Sequence, residues 1–540
     1  MKIMLFLWGL LFTTVTIAQT KNERSKVWVP DNGDGTYRNP VIYADYSDPD
    51  AIRVGDDYYL VASSFDAVPG LPILHSKDLV SWRIIGHALL RQPPYDHFAT
   101  TQHGNGVWAP AIRYHQQEFY IYYPDPDYGI YVIKAKQITG PWSSPELVVA
   151  GKGLIDPCPL WDDNGHVYMI HAYAGSRAGI KSILVVKQLN DAGTKALDEG
   201  VLVFDGHDDH PTMEGPKFYK RNGYYYIFAP AGGVSTGWQL VLRSKHIYGP
   251  YESRIVMDQG GSPVNGPHQG AWVQTPKGDD WFLHFQDLDA YGRVVHLQPM
   301  KWTDDWPVIG VDKDNDGKGE PVLRYRKPDV GNLGATAVTS PQESDGFNGN
   351  TIGLQWQWQA NPSAGWAFPS VAHGCLRLFA AQQPDSARNL WEVPNVLLQK
   401  FPAAEFSATT KCTFKPRQEG DRMSMLVLGA DYAGLALIKK TDGVYLSRFT
   451  CNKADKGAPE IITTEEKITA TDIFFRVRVS KGAVCRFSYS TDGQTFHEAG
   501  APFTAVPGRW IGAKLGLCCS RNVKTNDAGW TDVDWFRVDK

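Results

Sequence analysis

Short stretches in which apolar and polar residues alternate recur along roughly the first 310 residues, and they come in pairs. The segment 46–63, YSDPDAIRVGDDYYLVAS, is one such pair: the first stretch follows an Asp-Pro turn and the second is rich in aromatic residues. Turns such as GDD, DNGH, RNGY and KGDD separate the two stretches of each pair, and these are the residues that β-hairpins require. The pattern predicts consecutive hairpins and no long amphipathic helix.

The hairpin pattern occurs five times, at intervals of about 50–60 residues. Each copy is followed by a further strand-like piece, such as PILHSKDLVSW after the first and GIYVIKAKQITGPW after the second. Repeats of three to four strands at this spacing are typical of β-propeller blades. We therefore predict a five-bladed β-propeller over residues 37–325.

The pattern changes after Arg326. A loop-like stretch is followed by alternating strands such as SMLVLGA, GVYLSRFT and FFRVRVS, with the hairpin turns KTDGV and STDGQ between strands. This predicts a C-terminal β-sandwich of concanavalin-like or jelly-roll type over residues 340–540. The predicted fold class is thus all-β, a propeller followed by a sandwich.

The aligned positions at the five blade starts carry an unusual set of side chains, namely Asp48, Ala109 beside Trp108, Asp156, Glu214 and His268. The first strand of each blade lines the central axis, so these positions are expected to converge at one end of a common funnel. Three carboxylates in one pocket repel one another and lose hydration, which indicates chemistry rather than structure. Hydrolysis of a glycosidic bond needs two carboxyl groups in opposite protonation states, and a third can raise the pKa of the donor.

At this point the chain resembles a known family. The segments DPDAIRVGDDYYL, VWAPAIRYH, IDPCPLWDDNG, EGPKFYKRNGYYYIF and GPHQGAW are similar, in order and spacing, to the five-bladed propeller of glycoside hydrolase family 43. The resemblance implies an inverting, exo-acting glycosidase that requires no cofactor. It also implies that Asp48 is the general base, Glu214 the general acid and Asp156 the residue that modulates the acid. Inversion requires base and acid carboxyls about 6.5–9.5 Å apart.

The resemblance suggests further substrate-binding residues. Arg293, in YGRVVHLQP, matches a substrate-binding arginine, and Phe65 and Trp108 match positions that stack on the terminal sugar. His268 would lie on the axis and hold a water or a metal ion. His103 is expected at the pocket mouth. Core packing for the aromatics, a polar core for His268 and a surface position for Arg293 are the alternatives.

The segment SSFDAVPGLPILHSKDLVSW lacks the large aromatic residues that xylosidase-like relatives usually carry where this chain has Asp66, Ala67 and Val68. We therefore expect release of terminal α-L-arabinofuranose from oligosaccharides of plant hemicellulose, such as xylan or xyloglucan side chains. A β-D-xylosidase, or an enzyme with both activities, is the alternative. A non-catalytic carbohydrate-binding protein is disfavoured, because all three carboxylates are retained.

Composition narrows the partners and the compartment. The net charge is −4 without blocks of like charge, which gives no reason to expect binding to nucleic acid or to an anionic membrane. Residues 1–19 read as a cleavable signal peptide, and no cysteine lies near the cleavage region, so a periplasmic or secreted protein without membrane insertion is expected.

Two features allow more than one interpretation. The seven cysteines show no metal-type spacing, and buried thiols are expected for most of them, with a disulfide among the later six as the alternative. The acidic turn with Asp312, Asp314 and Asp316 resembles the start of a calcium loop, but Leu323 stands where the twelfth-position acid belongs. A structural calcium ion there, or at the axis near His268, is one interpretation, and a solvated acidic turn is the other.

In the sandwich, the Cys518–Trp530 loop is a candidate for reaching the pocket.

Overall fold

The computed structural model describes residues 25, 27–331 and 338–540. The predicted signal peptide at residues 1–19 lies outside the described residues. Five antiparallel sheets of four strands follow one another along the chain, and two larger sheets come after them. The predicted fold class, a five-bladed propeller followed by a β-sandwich, is confirmed.

Each blade is built from four strands that are consecutive in sequence. Blade 1 comprises Asp50–Val54, Asp57–Val61, Gly70–Ser76 and Trp82–Leu89. Blade 2 comprises Ala111–His115, Glu118–Asp125, Gly129–Ala135 and Glu146–Ala150. Blade 3 comprises Leu154–Trp161, Val167–Tyr173, Ile183–Leu189 and Val201–Asp205. Blade 4 comprises Lys217–Arg221, Tyr224–Ala231, Trp238–Ser244 and Glu252–Met257. Blade 5 comprises His268–Gln274, Asp280–Asp287, Arg293–Thr303 and Trp306–Ile309.

The first strands of the blades surround the central axis, as the repeat predicted. The first strand of blade 1 contacts the first strands of blades 2 and 5, and the first strand of blade 3 contacts those of blades 2 and 4. Aliphatic and aromatic side chains on both faces of each sheet pack against the neighbouring blades and form the cores between them. This burial supplies the main driving force for closing the ring.

The two ends of the propeller segment meet and close the ring. The strand Thr36–Arg38 pairs antiparallel with Arg324–Arg326. Ile42 forms an isolated bridge with Val295 in the third strand of blade 5. The chain therefore enters and leaves the propeller at blade 5.

The C-terminal domain consists of two packed sheets that share one extended apolar core. One sheet contains Gln357–Trp358, Ala381–Gln382, Leu397–Lys400, Arg422–Leu428, Tyr432–Lys440, Gly443–Cys451, Ile461–Ile468 and Lys514–Arg521. The other contains Ala367–Ser370, Cys375–Phe379, Phe406–Lys415, Asp472–Ser480, Val484–Ser490, His497–Glu498, Phe503–Thr504 and Trp530–Asp539. All seven cysteines are buried free thiols, as expected for the majority.

Helical structure in the described residues is limited to single turns. They are the α-helical turn Gly175–Ala178 and the 3₁₀ turns His97–Ala99, Asp289–Tyr291, Leu390–Glu392 and Ala454–Lys456. No helix in this part of the chain has the length and apolar character that a membrane crossing requires.

Candidate active site

Three carboxyl groups converge where the first strands of blades 1, 3 and 4 begin. The negative charges of Asp48 and Glu214 both act on the carboxyl of Asp156, so the three groups lie close to one another. The backbones of Asp48 and Asp156 both have positive φ angles, 54° and 55°. Residues other than glycine adopt this left-handed region at an energetic cost, and such strain is concentrated at functional sites.

The Asp48 carboxylate is held by three donors. Its Oδ2 accepts hydrogen bonds from the Ser47 hydroxyl at 2.7 Å and the Ser63 hydroxyl at 2.6 Å. Its Oδ1 pairs with the Arg293 guanidinium at 2.9 Å. Arg293 is only 8% exposed, so the structure places it in the pocket rather than on the surface. Sequence reasoning missed both serines, because the motif does not say which hydroxyls reach the carboxylate.

Asp156 and Glu214 form a second, adjacent group. The Gly215 backbone N–H donates to Asp156 Oδ2 at 2.7 Å, which joins the start of blade 4 to the start of blade 3. Burial raises the pKa of Asp156 to about 8, and the charge of Glu214 is the next largest cause. The Asp156 carboxyl therefore keeps its proton near neutral pH. Gly215 is required here, because its φ is 61° and a Cβ would lie 2.8 Å from Gln269 Cδ.

His268 contacts the Glu214 carboxylate directly. Its Nε2 lies 3.1 Å from Glu214 Oε1, and the ring is 1% exposed. Both His268 and Arg293 also lie against the Phe285 ring, at 5.4 Å and 4.8 Å from its centroid. Phe285, in the second strand of blade 5, thus supports the side chains of His268 and Arg293, which contact Glu214 and Asp48.

Trp108 lies at the start of blade 2 and is held on several sides. Its indole Nε1 donates to the Gly104 carbonyl at 2.8 Å, and the Arg177 guanidinium lies 5.3 Å from its ring centroid. Arg177 donates in turn to Asn105 Oδ1 at 2.7 Å. Phe65 is 3% exposed, so most of its surface packs against protein. Trp108 retains partial exposure and is the better candidate of the two for stacking on a sugar.

A loop of the sandwich, residues 505–513, reaches this part of the propeller. The Trp510 ring lies 6.2 Å from the Trp108 ring in an edge-to-face arrangement and is 47% exposed. The Gly512 N–H donates to Asp45 Oδ2 at 2.9 Å, and Asp45 Oδ1 accepts from the Arg293 backbone N–H at 2.9 Å. Asp45 therefore connects the sandwich loop to the backbone of a pocket residue.

The Cys518–Trp530 loop makes its contacts, among the described residues, within the sandwich and not with the propeller. Asp527 pairs with Arg417 at 2.7 Å, and the Gly529 N–H donates to Asp421 at 3.0 Å, both within the sandwich. The loop that precedes the strand Lys514–Arg521 makes the contact with the propeller, not the loop that follows it. The two loops flank the same strand, but they leave it at opposite ends.

The segment Asp66–Val68 and His103 lie at the boundary between the domains. Asp66 accepts from the Gln102 N–H at 2.8 Å, and Val68 bridges to Trp358 of the sandwich. His103 stacks on Trp391 at 3.7 Å, and burial lowers its pKa. Residues 66–68 and His103 chiefly form contacts between the two domains. The lack of large aromatic residues at 66–68 is therefore weak support for an arabinofuranose substrate.

The acidic turn fits a calcium ion poorly. Carboxylate oxygens of Asp312, Asp314 and Asp316 lie within 4.8 Å of one another. However, both Asp312 oxygens accept backbone N–H groups, and Asp316 pairs with Lys318 at 3.0 Å. The Lys318 ammonium already balances part of the negative charge, so the arrangement is that of a self-capped acidic turn. No other group of three such side chains gathers at ligand distances in the part of the chain that the structure describes.

Comparison with known proteins gives a consistent result for both domains. The family model described as "Glycosyl hydrolases family 43" matches residues 37–307, and the model described as "Beta xylosidase C-terminal Concanavalin A-like domain" matches residues 344–539. A putative beta-xylosidase of Xylanibacter ruminicola is 40% identical over 90% of this chain and 86% of its own length. A beta-xylosidase of Formosa agariphila is 33% identical over 94% of this chain and 91% of its own length.

Two more distant proteins extend the comparison. A non-reducing end alpha-L-arabinofuranosidase of Bacteroides ovatus is 28% identical over 99% of this chain and 98% of its own length. The crystal structure of the BlXynB protein of Bacillus licheniformis superposes with a TM-score of 0.78 at 27% identity, covering 93% of this chain and 99% of that one. The similarity therefore extends over the propeller and the sandwich together.

Proposed function

Because this chain belongs to glycosyl hydrolase family 43, we propose that it is an exo-acting β-D-xylosidase that releases terminal xylose from xylan-type oligosaccharides. The similarity of the whole chain, both domains together, to proteins named beta-xylosidase carries this proposal. This similarity favours β-D-xylosidase activity, the alternative in the sequence analysis, over the arabinofuranosidase activity that was expected first. The arabinofuranosidase activity stays a second candidate, supported by the more distant relative of Bacteroides ovatus.

In the proposed mechanism Asp48 acts as the general base. It takes a proton from a water molecule as that water attacks the anomeric carbon of the terminal sugar. The two serine hydroxyls and the Arg293 guanidinium hold the carboxylate in one orientation. Attack from the face opposite to the leaving group inverts the configuration at that carbon.

Glu214 is the proposed general acid, which donates a proton to the leaving oxygen. Its side chain is 32% exposed, whereas Asp156 is buried, so Glu214 is the member of the pair that reaches the substrate. Burial and the negative charge of Glu214 raise the pKa of Asp156, so Asp156 keeps its proton near neutral pH. The contact with His268 orients Glu214.

The terminal sugar is proposed to stack on Trp108 and to be enclosed by Trp510 from the sandwich, with Arg293 and Phe65 at its other sides. Aromatic faces pack on the C–H face of a sugar ring. We further propose that the protein is exported by the segment 1–19 and acts on oligosaccharides outside the cytoplasm.

A direct assay tests the proposal. We expect the wild-type protein to hydrolyse p-nitrophenyl β-D-xylopyranoside faster than p-nitrophenyl α-L-arabinofuranoside, and proton NMR to show α-xylose as the first product. Faster cleavage of the arabinofuranoside would select the second candidate. Retention of the β-anomer would contradict the assigned base and acid.

A further inference from the structure

Three cations are buried along the propeller axis near the carboxylates, and two of them have ion-pair partners. Arg293 pairs with Asp48 at 2.9 Å. Arg113, deeper along the axis, pairs with Asp50 at 2.7 Å. The third is Lys217, which is 0% exposed. Its ammonium donates to the Pro110 carbonyl at 3.0 Å, and no carboxylate lies within ion-pair distance of it among the described residues.

An unpaired ammonium group is costly to bury, so its position needs an explanation. Lys217 is the first residue of the inner strand of blade 4, three residues after Glu214. Its side chain extends to Pro110 at the start of blade 2. The first strand of blade 3, which contains Asp156, contacts the first strands of both those blades. The positive charge of Lys217 acts on Asp156 and lowers its pKa, in opposition to burial.

We propose that Lys217 is a positioning residue for the Asp156–Glu214 pair, whose buried positive charge offsets the negative charge of that pair and sets the pH at which Asp156 loses its proton. The inference rests on the proposed roles of these two carboxyl groups. Arg293 then pairs with the base, Arg113 with Asp50, and Lys217 acts on the carboxyl that modulates the acid.

The other charged and titratable groups around the pair are already engaged. His268 contacts Glu214, Arg293 contacts Asp48, and the Cys158 thiol accepts from the Phe218 N–H at 3.1 Å. Burial raises the pKa of that thiol, so it adds no negative charge near neutral pH. Arg293 acts on Glu214 as well as on Asp48, so the ammonium of Lys217 is the axial cation that no ion pair engages among the described residues.

The test replaces Lys217 by neutral residues and measures the pH profile of kcat/KM on whichever of the two p-nitrophenyl glycosides the wild type cleaves. In Lys217→Met the pair should bind its proton more tightly, so the basic limb should move up by about one pH unit. Lys217→Gln, which keeps a donor for the Pro110 carbonyl, should show the same shift. An unmoved basic limb in folded, active variants overturns the proposal.

A matched control separates charge at the axis from loss of a buried lysine. Lys187 in blade 3 is also buried, at 4% exposure, and also donates to a backbone carbonyl, that of Glu199. Lys187→Met should leave the basic limb in its wild-type position. An equal shift in this control would assign the effect to general destabilisation and overturn the proposal.

Thermal unfolding supplies a readout that needs no turnover. A native state that retains a proton to higher pH loses stability over a wider range as pH rises. The melting temperature of Lys217→Met should therefore continue to fall above pH 8, where the wild-type curve levels off. If the wild type cleaves neither glycoside, the proposed function fails, but this comparison still decides on Lys217, and identical curves for both proteins overturn it.

Discussion

The Asp48 carboxylate and the Arg293 guanidinium form a 2.9 Å ion pair although they are 245 positions apart in the chain. The same Arg293 nitrogen also lies 2.9 Å from the Ser47 hydroxyl, which itself donates to Asp48. One nitrogen thus fixes both the carboxylate and one of its donors. The proposed base depends on a residue that enters from the opposite end of the propeller segment.

Replacing Arg293 by lysine tests this dependence. Lysine keeps the charge but is one atom shorter and lacks the fixed N–H directions of the guanidinium, so the Asp48 carboxylate loses its fixed orientation. We expect kcat/KM to fall at least about tenfold for Arg293→Lys and at least about a hundredfold for Arg293→Ala. Arg324→Ala, which removes a surface arginine that pairs with Asp34, is the control and should keep wild-type kinetics.

Leaving-group dependence should distinguish the two outer carboxylates. Glu214→Gln should lose about 10²–10⁴-fold on xylobiose but much less on 2,4-dinitrophenyl β-D-xylopyranoside, because a good leaving group needs little help from an acid. Asp48→Asn should lose activity equally on both substrates, since water must be activated in either case. A similar loss on both substrates for Glu214→Gln would contradict its role as the acid.

The raised pKa of Asp156 predicts how stability depends on pH. The native state keeps a proton up to about pH 8 that the unfolded chain releases near pH 4, so the free energy of unfolding falls as pH rises between these values. Asp156→Asn removes this penalty. We expect the variant to melt at a higher temperature than the wild type at pH 8, with a smaller difference at pH 5. Its activity should fall at least about a hundredfold.

Trp510 should contribute to substrate binding from the sandwich domain. Trp510→Ala should raise KM about tenfold with a smaller effect on kcat, because the residue encloses the sugar without touching the reacting bond. Phe368→Ala, at an exposed aromatic position of the same domain, is the matched control and should leave KM unchanged. An unchanged KM in Trp510→Ala would show that the sandwich does not shape the pocket.

Much of the propeller site could be predicted because the repeat itself carries the signal. Once the hairpins are aligned, Asp48, Asp156 and Glu214 fall at equivalent blade starts, and the geometry of a closed ring brings them together. Arg293 required the family resemblance, since it begins the third strand of blade 5 and not a first strand. The prediction that most of the seven cysteines are buried thiols also followed from the sequence, because their spacing matches no metal site.

The sandwich contribution could not be predicted, for a physical reason. The Trp510 loop meets Trp108 only because two separately folded domains pack in one particular orientation, and no local pattern encodes that orientation. The loop following Lys514–Arg521, which the sequence analysis named as the candidate, is richer in polar residues. The loop preceding this strand has the sequence of an ordinary turn. In the anchoring bond to the Asp45 carboxylate, the donor is the backbone N–H of Gly512, which leaves no mark on the side-chain pattern of the loop.

The closure of the ring by Thr36–Arg38 and Arg324–Arg326 has a consequence for how the molecule is made. The Thr36 strand leaves the ribosome long before its partner Arg324, which follows 288 positions later. Until then the nascent propeller is an open arc whose first and last blades each expose an apolar sheet face, a state prone to association with other chains. A stop codon anywhere within blade 5 should therefore yield an insoluble product rather than a four-bladed ring, even though four complete blades have been synthesised.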